Sequence, residues 1–358
     1  MGATHTSLVE YSPENRLKVS IAYAIITLGL SFTLLGLAVI LLGESNVRQP
    51  PPELNETYQI IITLYTCVPA LTGLLFIFGF KTMHWRELGL FLPKNKLWLG
   101  FGILYAACVL FLTIILVLAA DLGSINFQYN PWYPYQISLG NIMLNLGSYF
   151  LIVPFLLLIS VGGFVRIIGE EVGWRGYLMP QLLKSAPRIS VLYSILIVGG
   201  VWTLWHIPFF TFLSPQFLNP LEMTLSFLGS VGVFFGASFA MCWSLLKTHS
   251  LWPAVSLHFL WNIINPVLTG NVYSGNQGVI EGSLWLTNGE GLVGSVFHLV
   301  VGVICYFLIR KEGESLVSAY LGNLARLREE DRDSWVQTPA KGKDERTGPF
   351  YRALRRRR

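Results

Sequence analysis

The chain has 358 residues and a net charge of +5, with 53% hydrophobic and only 13% charged residues. Soluble domains usually carry about 25% charged residues, so this composition excludes an ordinary soluble enzyme and indicates a protein solvated by lipid. The basic residues lie in short connections and at the C-terminal end, a distribution that favours a role in membrane topology over nucleic-acid binding.

Apolar stretches long enough to cross a bilayer recur along the whole chain. A transmembrane helix needs about 20 consecutive apolar residues. On this criterion we predict an all-α polytopic membrane protein with about eight transmembrane helices. The predicted spans are 19–43, 58–80, 98–120, 142–164, 190–212, 223–246, 250–268 and 291–309.

Lys and Arg are distributed unequally between the two sets of connections. The connections on one side contain eleven of these basic residues, whereas those on the other side contain Arg48 alone. Because positively charged loops stay in the cytoplasm, we predict a multi-pass protein of the cell membrane with both termini cytoplasmic. The residues of the basic side are Arg16, Lys18, Lys81, Arg86, Lys94, Lys96, Lys184, Arg188, Lys247, Arg310 and Lys311.

Two segments outside the predicted spans have distinctive compositions. The loop 121–141 is rich in Trp, Tyr and Pro and is predicted to lie at the outer interface, where aromatic rings settle. The tail 311–358 contains a dense mixed-charge run at 326–333 and ends in four arginines. We predict that this basic tail is disordered, because it cannot bury enough apolar surface to fold alone.

Ionisable residues inside transmembrane segments are costly and usually functional. In this sequence they form three clusters on three predicted spans. The clusters are Glu170, Glu171 and Arg175 at the cytoplasmic end of the fourth span, His206 late in the fifth, and His258 with Asn262 in the seventh.

The spacing within two clusters indicates which side chains act together. Residues four apart share a face of a helix, so Glu171 is expected to pair with Arg175. Glu170 lies about 100° further round the helix and is free to point elsewhere. His258 and Asn262 are also four apart, and they can offer two hydrogen-bond donors to one developing oxyanion.

Three further features near these clusters have less specific interpretations. Pro208 follows His206 closely and predicts a kink that would open a polar cavity. His298 in the eighth span is interpreted as an interhelical hydrogen-bond donor. Arg166 lies four residues before Glu170 and could either compete for that carboxylate or extend toward the interface.

Taken in chain order, the three clusters resemble the motifs of the intramembrane CAAX protease and bacteriocin-processing family, also called the Abi or type II CAAX prenyl endopeptidase family. The resemblance covers roughly residues 145–270, and the second motif begins with Trp where the family has Phe. The motifs EExxxR, FxxxH and HxxxN stand here as Glu170, Glu171 and Arg175, as Trp202 and His206, and as His258 and Asn262.

The resemblance implies an intramembrane endopeptidase. In that role Glu170 and His206 would activate a water for attack on a peptide carbonyl. His258 and Asn262 would then stabilise the oxyanion. The expected partners are the lipid bilayer and a membrane-embedded or lipidated peptide or protein substrate, with no nucleic acid.

The resemblance also assigns supporting residues and raises the possibility of a metal. Glu171 and Arg175 would hold the first motif together. Glu170, His206 and His258 could supply three zinc ligands with an open fourth position. The sequence contains no HExxH motif, which would present zinc from one helix face, so general-base chemistry by Glu170 with His206 is favoured.

The position of each catalytic residue along its span restricts the geometry. Counted from the cytoplasmic face, His258 lies about 8 residues deep, roughly 12 Å at the helical rise. His206 lies deeper, whereas Glu170 lies near the surface. These side chains can meet only if the fourth helix tilts or begins late, or if the intramembrane cavity is conical.

The predicted organisation has four parts, with the chemistry confined to the second. They are an N-terminal three-span region with the interfacial loop (1–140), the catalytic core (141–270), the last span (271–310) and the tail (311–358).

Two functions from other classes compete with proteolysis. A non-catalytic membrane scaffold or bacteriocin self-immunity factor would use the same pocket only for binding. A transporter with an intramembrane ionisable relay is less favoured, because the polar residues lie only in the later spans and the two halves show no matched broken helices.

Overall fold

Long apolar helices make up most of the described part of the protein. The computed structural model describes residues 11–48, 51–126, 161–185, 190–213, 219–273 and 275–336. In this part of the chain the helices are α1 (Pro13–Leu42), α2 (Glu44–Arg48), α3 (Asn55–Phe78), α4 (Phe101–Ala119), α5 (Val161–Glu171), α6 (Met179–Leu183), α7 (Val191–Pro208), α8 (Pro220–Thr248), α9 (Trp252–Thr269), α10 (Leu284–Thr287) and α11 (Leu292–Val336).

Shorter elements connect these helices. Two π-helical turns, Val172–Leu178 and Phe209–Leu213, continue α5 and α7 without a break. The remaining short elements are the 3₁₀ turns Pro52–Leu54, Trp85–Leu88 and Lys96–Gly100 and the strands β1 (Gly123–Ile125) and β2 (Ile280–Gly282).

The prediction of an all-α polytopic membrane protein is confirmed. Within the described residues, six helical segments are long and apolar enough to cross a membrane. They correspond to the first, second, third, fifth, sixth and eighth predicted spans. The six segments are Pro13–Leu42, Asn55–Phe78, Lys96–Ala119, Val191–Phe212, Pro220–Thr248 and Leu284–Glu330.

The predicted number of eight spans is not confirmed. Most of the predicted fourth span, 142–164, lies outside the described residues. The predicted seventh span, 250–268, is helical as α9, but it is not among the six segments, because polar residues interrupt its apolar sequence. Residues 127–141 of the predicted interfacial loop also lie outside the described part of the chain.

The helix that contains the end of the predicted fourth span continues well beyond residue 164. α5, the π-helical turn and α6 form one helical stretch from Val161 to Leu183. Glu170 and its neighbours therefore lie inside a helix. The hydropathy pattern does not show this continuation, because the charged side chains here are buried against one another and composition alone cannot show their pairing.

The prediction of a disordered tail is wrong for residues 311–336. α11 runs on to Val336, with a bend at Gly313, where φ is +62°. Glycine adopts this left-handed conformation readily because it has no Cβ. Residues 337–358 lie outside the described residues.

A regular apolar pattern explains why the chain stays helical beyond the bend. Leu316, Tyr320 and Leu324 follow one another at intervals of four residues, and all three side chains are buried. Side chains at this spacing share one helix face, so α11 packs an apolar stripe against the protein. The average composition of the segment is dominated by the charged residues around this stripe, and for that reason it predicts disorder.

The loops that follow the C-terminal ends of α4 and α9 are joined by a small antiparallel ribbon. β1 pairs with β2 in the register Gly123 with Gly282, Ser124 with Glu281, and Ile125 with Ile280. This pairing fixes the chain directly before α10. Glu290, a residue of the candidate site, lies between α10 and α11.

Close approach of α8 to α11 closes one side of the helix bundle. A Cβ atom at Gly236 would lie 2.2 Å from the carbonyl oxygen of His298, and one at Gly229 would lie 2.7 Å from that of Glu290. Such small-residue faces allow the backbones of transmembrane helices to touch. The contact sets α11 directly beside the cavity described below.

Candidate active site

The first motif is buried where α5 passes into the π-helical turn Val172–Leu178. Oε1 of Glu171 accepts a hydrogen bond of 2.8 Å from Nη1 of Arg175, the pair that the four-residue spacing predicts. The second terminal nitrogen of Arg175 donates to Oγ of Ser238 on α8 over 2.9 Å. Both charged side chains are fully inaccessible to solvent, so each depends on the other for compensation.

A second partner of Glu171 comes from α9. Nδ1 of His258 lies 2.8 Å from the same Oε1 atom, and it donates the hydrogen bond because an ionised carboxylate can only accept. Sequence spacing gave Glu171 a single partner, Arg175. The structure shows one carboxylate that joins the first motif to the third and fixes the orientation of the His258 ring.

Glu170 points to a different helix. Its Oε2 accepts a hydrogen bond of 3.0 Å from Nε1 of Trp202 on α7. The guanidinium of Arg175 lies over the face of the Trp202 ring, 4.1 Å from the ring centroid. This is a cation–π contact. The leading aromatic residue of the second motif thus connects the two motifs through both its edge and its face.

Arg166, which the sequence left between two interpretations, reaches α3. Its Nε donates to Oγ1 of Thr63 over 3.0 Å, and Nη2 donates to Oε1 of Gln59 over 2.7 Å. These bonds hold α5 against α3 near one end of the helix.

His206 lies at the last turn of α7. Its Nδ1 lies 2.9 Å from the carbonyl oxygen of Trp202. A carbonyl can only accept, so Nδ1 carries the proton and the neutral ring keeps a lone pair at Nε2. The ring stacks on Phe234 of α8, with centroids 4.0 Å apart. Helix geometry changes from α to π directly after Pro208, at the place where the sequence predicts a kink.

The second and third motifs meet at one cavity of about 60 Å³, which has room for a few water molecules. Asn262 is exposed to this space and makes no hydrogen bond with any described residue. Apolar side chains of α8 form the facing wall. The polar lining residues are His206, His258, Asn262, Tyr273, Glu290 and His298.

Glu170 does not itself line this cavity in the described part of the protein. It lies behind Trp202, which does line it, and it is close enough to His258 for an electrostatic interaction. The structure therefore brings His206, His258 and Asn262 to one space, with Glu170 adjacent to them. Glu171 and Arg175 lie behind His258 and hold it in place.

His298 makes an interhelical contact, as expected from the sequence. Its Nδ1 lies 2.6 Å from the hydroxyl of Tyr105 on α4, and its ring packs edge-on against Trp261 with centroids 4.4 Å apart. In addition it contributes to the cavity wall, which the sequence did not predict.

Glu290 is a cavity residue that sequence reasoning missed. Its Oε1 accepts a hydrogen bond of 3.0 Å from Nε1 of Trp261. Its Oε2 is buried without a hydrogen-bond partner among the described residues. The predicted span begins at residue 291, so this carboxylate falls at the end of the predicted connection 268–290. The one available signal was its position between two glycines, directly before an apolar run.

A buried polar network positions Glu290. Its backbone N–H donates to Oδ1 of Asn288 over 2.7 Å, and the N–H of Gly289 donates to Oγ1 of Thr269 over 2.9 Å. Thr269 in turn donates to Oδ1 of Asn265 over 2.6 Å. The turn that carries Glu290 is therefore fixed to the end of α9.

The donor atoms do not form a metal site in this arrangement. Among the residues that the structure describes, no three His, Cys, Asp or Glu side chains are grouped so that they could hold a metal ion. His206 and His258 both line the cavity, but Glu170 is directed to Trp202 and is not among the lining residues. Glu170, His206 and His258 are therefore not grouped as the three zinc ligands that the sequence suggests.

Comparison with known proteins gives one family. Residues 152–264 match the family model of type II CAAX prenyl endopeptidase Rce1-like proteins, which confirms the resemblance over this segment. All three motifs lie within the matched residues. No curated protein matches the chain.

Proposed function

We propose, from the match of residues 152–264 to the type II CAAX prenyl endopeptidase family, that this multi-pass membrane protein is an intramembrane endopeptidase. The observation that carries the proposal is that motif residues of α7 and α9 line one water-sized cavity, and that Glu170 and Glu171 of α5 contact two of these lining residues, Trp202 and His258. Ionisable side chains gathered inside a membrane protein mark a site of chemistry.

In the proposed reaction, His206 and Glu170 act as the base for an attacking water. The Nδ1 proton of His206 is held by the Trp202 carbonyl, so its Nε2 lone pair can accept a proton from water. The water oxygen forms a bond to the peptide carbonyl carbon. The accepted proton then passes to the amide nitrogen as the carbon–nitrogen bond breaks, which leaves a carboxylic acid and an amine.

The negative charge on the tetrahedral intermediate needs hydrogen-bond donors that are in place beforehand. The amide of Asn262 has no partner among the described residues and faces the cavity, so it can donate without breaking another bond. His258 uses Nδ1 for Glu171, which leaves Nε2 as the second donor. In this proposal Glu171 and Arg175 hold the His258 ring in place and do not contact the substrate.

The substrate we propose is a membrane-embedded or lipidated peptide or protein, because the site lies among apolar helices. We also propose that both termini are cytoplasmic, since Lys and Arg are concentrated in the connections of one side. The cell membrane is the proposed location.

A cleavage assay tests the function directly. The probes are a farnesylated peptide ending in a CAAX sequence and the same peptide without the lipid, each incubated with the detergent-solubilised protein. Glu170→Gln and His206→Ala are expected to abolish cleavage. Glu14→Gln and His84→Ala serve as matched controls far from the cavity and should cleave normally. Normal cleavage by both site variants would refute the assignment.

The same assay decides between general-base and zinc chemistry. Because the donor geometry does not fit zinc, we expect cleavage to persist after dialysis against a chelator. Loss of cleavage that returns on adding zinc would favour the metal mechanism.

A non-catalytic scaffold or immunity factor is the second candidate. The small cavity favours it, since about 60 Å³ accommodates water but no peptide. If this candidate is correct, the Glu170→Gln protein should replace the wild type fully in cells that depend on it. A protease would lose that capacity.

A further inference from the structure

A second cavity lies outside the candidate active site, between the segment 91–98, the turn after α8 and the part of α11 beyond Gly313. Its volume is about 430 Å³, which falls in the range of small-ligand sites. We call it the basic groove. The lining residues on which the argument depends are Lys94, Asn95, Trp98, His249, Asn323 and Arg326.

The basic groove lies where two membrane-crossing segments end. The segment Lys96–Ala119 begins just after Lys94, and the segment Pro220–Thr248 ends directly before His249. Trp98 packs against Trp243 with ring centroids 5.2 Å apart. Trp side chains of this kind settle at the level of the lipid headgroups, so the groove opens at the membrane surface.

The walls of the basic groove carry more positive than negative charge. No Asp or Glu is among its lining residues in the described part of the chain. Lys94 is exposed and forms no ion pair with a described residue. Arg326 lies 3.7 Å from Glu330, and both side chains are more than half exposed, so this contact neutralises little of its charge.

Lys247 provides a contrast at the edge of the same groove. Its ammonium group binds both carboxylate oxygens of Glu312, at 3.0 and 2.9 Å. Its charge is therefore compensated within the protein. The uncompensated charge belongs to Lys94 and Arg326, with His249 between them.

His249 occupies an unusual backbone position for its residue type. Its φ of +55° is left-handed, at a helix end where glycine is the common residue. Burial lowers the pKa of its imidazole, and the charges of Lys94 and Arg326 lower it further. Three basic side chains thus face one another, an arrangement that an anion placed among them would relieve.

We propose that the basic groove binds a phosphate group, supplied by the headgroup of an anionic phospholipid. Lys94 and Arg326 would donate charge-assisted hydrogen bonds to the phosphate oxygens, and the Asn95 and Asn323 amides lie beside them. Basic pockets at the membrane surface recognise headgroups in this way. A lipid fits better than free phosphate because the groove opens beside Trp98, where acyl chains can remain in the bilayer.

Thermal unfolding of the full-length protein in a neutral detergent tests this proposal. The added probes are short-chain phosphatidylglycerol, phosphatidylcholine with the same acyl chains, and inorganic phosphate, all at one ionic strength. Phosphatidylglycerol should raise the unfolding midpoint of the wild type by several degrees more than phosphatidylcholine does. The double variant Lys94→Ala/Arg326→Ala should lose that difference. Both side chains are exposed, so the variant is expected to fold.

A matched variant separates the site from the effect of total charge. Lys18→Ala/Arg310→Ala removes one Lys and one Arg elsewhere and should keep the phosphatidylglycerol effect. The proposal would be overturned if phosphatidylglycerol shifted the unfolding midpoint equally in wild type and in Lys94→Ala/Arg326→Ala. It would also be overturned if neither phosphatidylglycerol nor inorganic phosphate raised the midpoint more than phosphatidylcholine does. A shift with inorganic phosphate as large as that with phosphatidylglycerol would support the phosphate site and overturn its assignment to lipid.

Discussion

Glu171 on α5 and His258 on α9 are joined by a hydrogen bond of 2.8 Å, although 87 positions separate them in the chain. The same carboxylate oxygen holds Arg175. Through this oxygen the first motif, to which the sequence assigns only a supporting role, sets the orientation of the His258 ring in the third motif.

Removing the charge of Glu171 should destabilise the protein strongly. In Glu171→Gln the buried guanidinium of Arg175 loses its counter-charge, and breaking a buried pair in this way costs about 3 kcal/mol or more. The measurement is the unfolding midpoint in detergent. The control Glu14→Gln removes an exposed pair with Lys18, for which a change below about 1 kcal/mol is expected. Similar midpoints for the two variants would contradict the role of Glu171.

Trp202→Phe tests the hydrogen bond that positions Glu170. The variant restores the aromatic residue typical of the motif and keeps a ring beside Arg175, but it removes the N–H that Glu170 accepts. A hydrogen bond to a charged group contributes about 1.5–3 kcal/mol, so cleavage should fall by roughly tenfold or more. Trp243→Phe, whose ring lies away from the cavity, is the control. Unchanged cleavage by Trp202→Phe would show that this bond does not position the base.

Glu290→Gln tests whether the missed carboxylate takes part in the reaction. The Glu290 side chain lines the cavity beside Tyr273, and its carboxylate oxygens can accept a hydrogen bond from water or substrate, whereas the amide nitrogen of Gln can only donate. We expect cleavage to decrease by roughly tenfold with little change in the unfolding midpoint. Glu281→Gln, on the nearby strand β2, serves as the control. Full activity together with a raised midpoint would mean that Glu290 is only a costly buried group.

Gly236→Ala should weaken the contact between α8 and α11. The added methyl would lie 2.2 Å from the His298 carbonyl oxygen, and such overpacking costs about 1–3 kcal/mol. Gly36→Ala on α1 meets no atom within 4 Å and should be neutral or stabilising by up to about 1 kcal/mol. The midpoints of the two variants are compared with wild type; equal values would show that α8 and α11 are not closely packed.

His249→Asn should reduce the dependence of stability on pH. Burial, with Lys94 and Arg326, lowers the pKa of His249 in the folded protein. As the pH falls through about 6.5, the unfolded chain binds a proton that the folded protein resists, so stability decreases. Asn tolerates the left-handed backbone and has no such proton. The unfolding midpoint at pH 7.5 and pH 5.5 should therefore differ less in the variant; an equal difference would contradict this.

Local features of the sequence were sufficient for the helical, membrane-spanning class and for the pair of Glu171 with Arg175. Apolar length predicts helices, because each backbone N–H and C=O must be satisfied within the bilayer. The spacing from Glu171 to Arg175 predicts their pair, because four residues make one helical turn. The order of the motifs is typical of the family that the matched segment represents. None of these inferences requires knowledge of how the helices pack.

Only the tertiary structure decided which groups from distant segments meet. The bond from Glu171 to His258, the indole of Trp202 beside Glu170 and the carboxylate of Glu290 in the cavity all depend on the approach of separate helices. Glycines such as Gly236 allow a close approach of this kind, in that case between α8 and α11. Residue spacing along one helix does not show which other helix packs against it. Beyond Gly313 the four-residue spacing of Leu316, Tyr320 and Leu324 is present in the sequence, but only the structure shows that these side chains are buried against the protein.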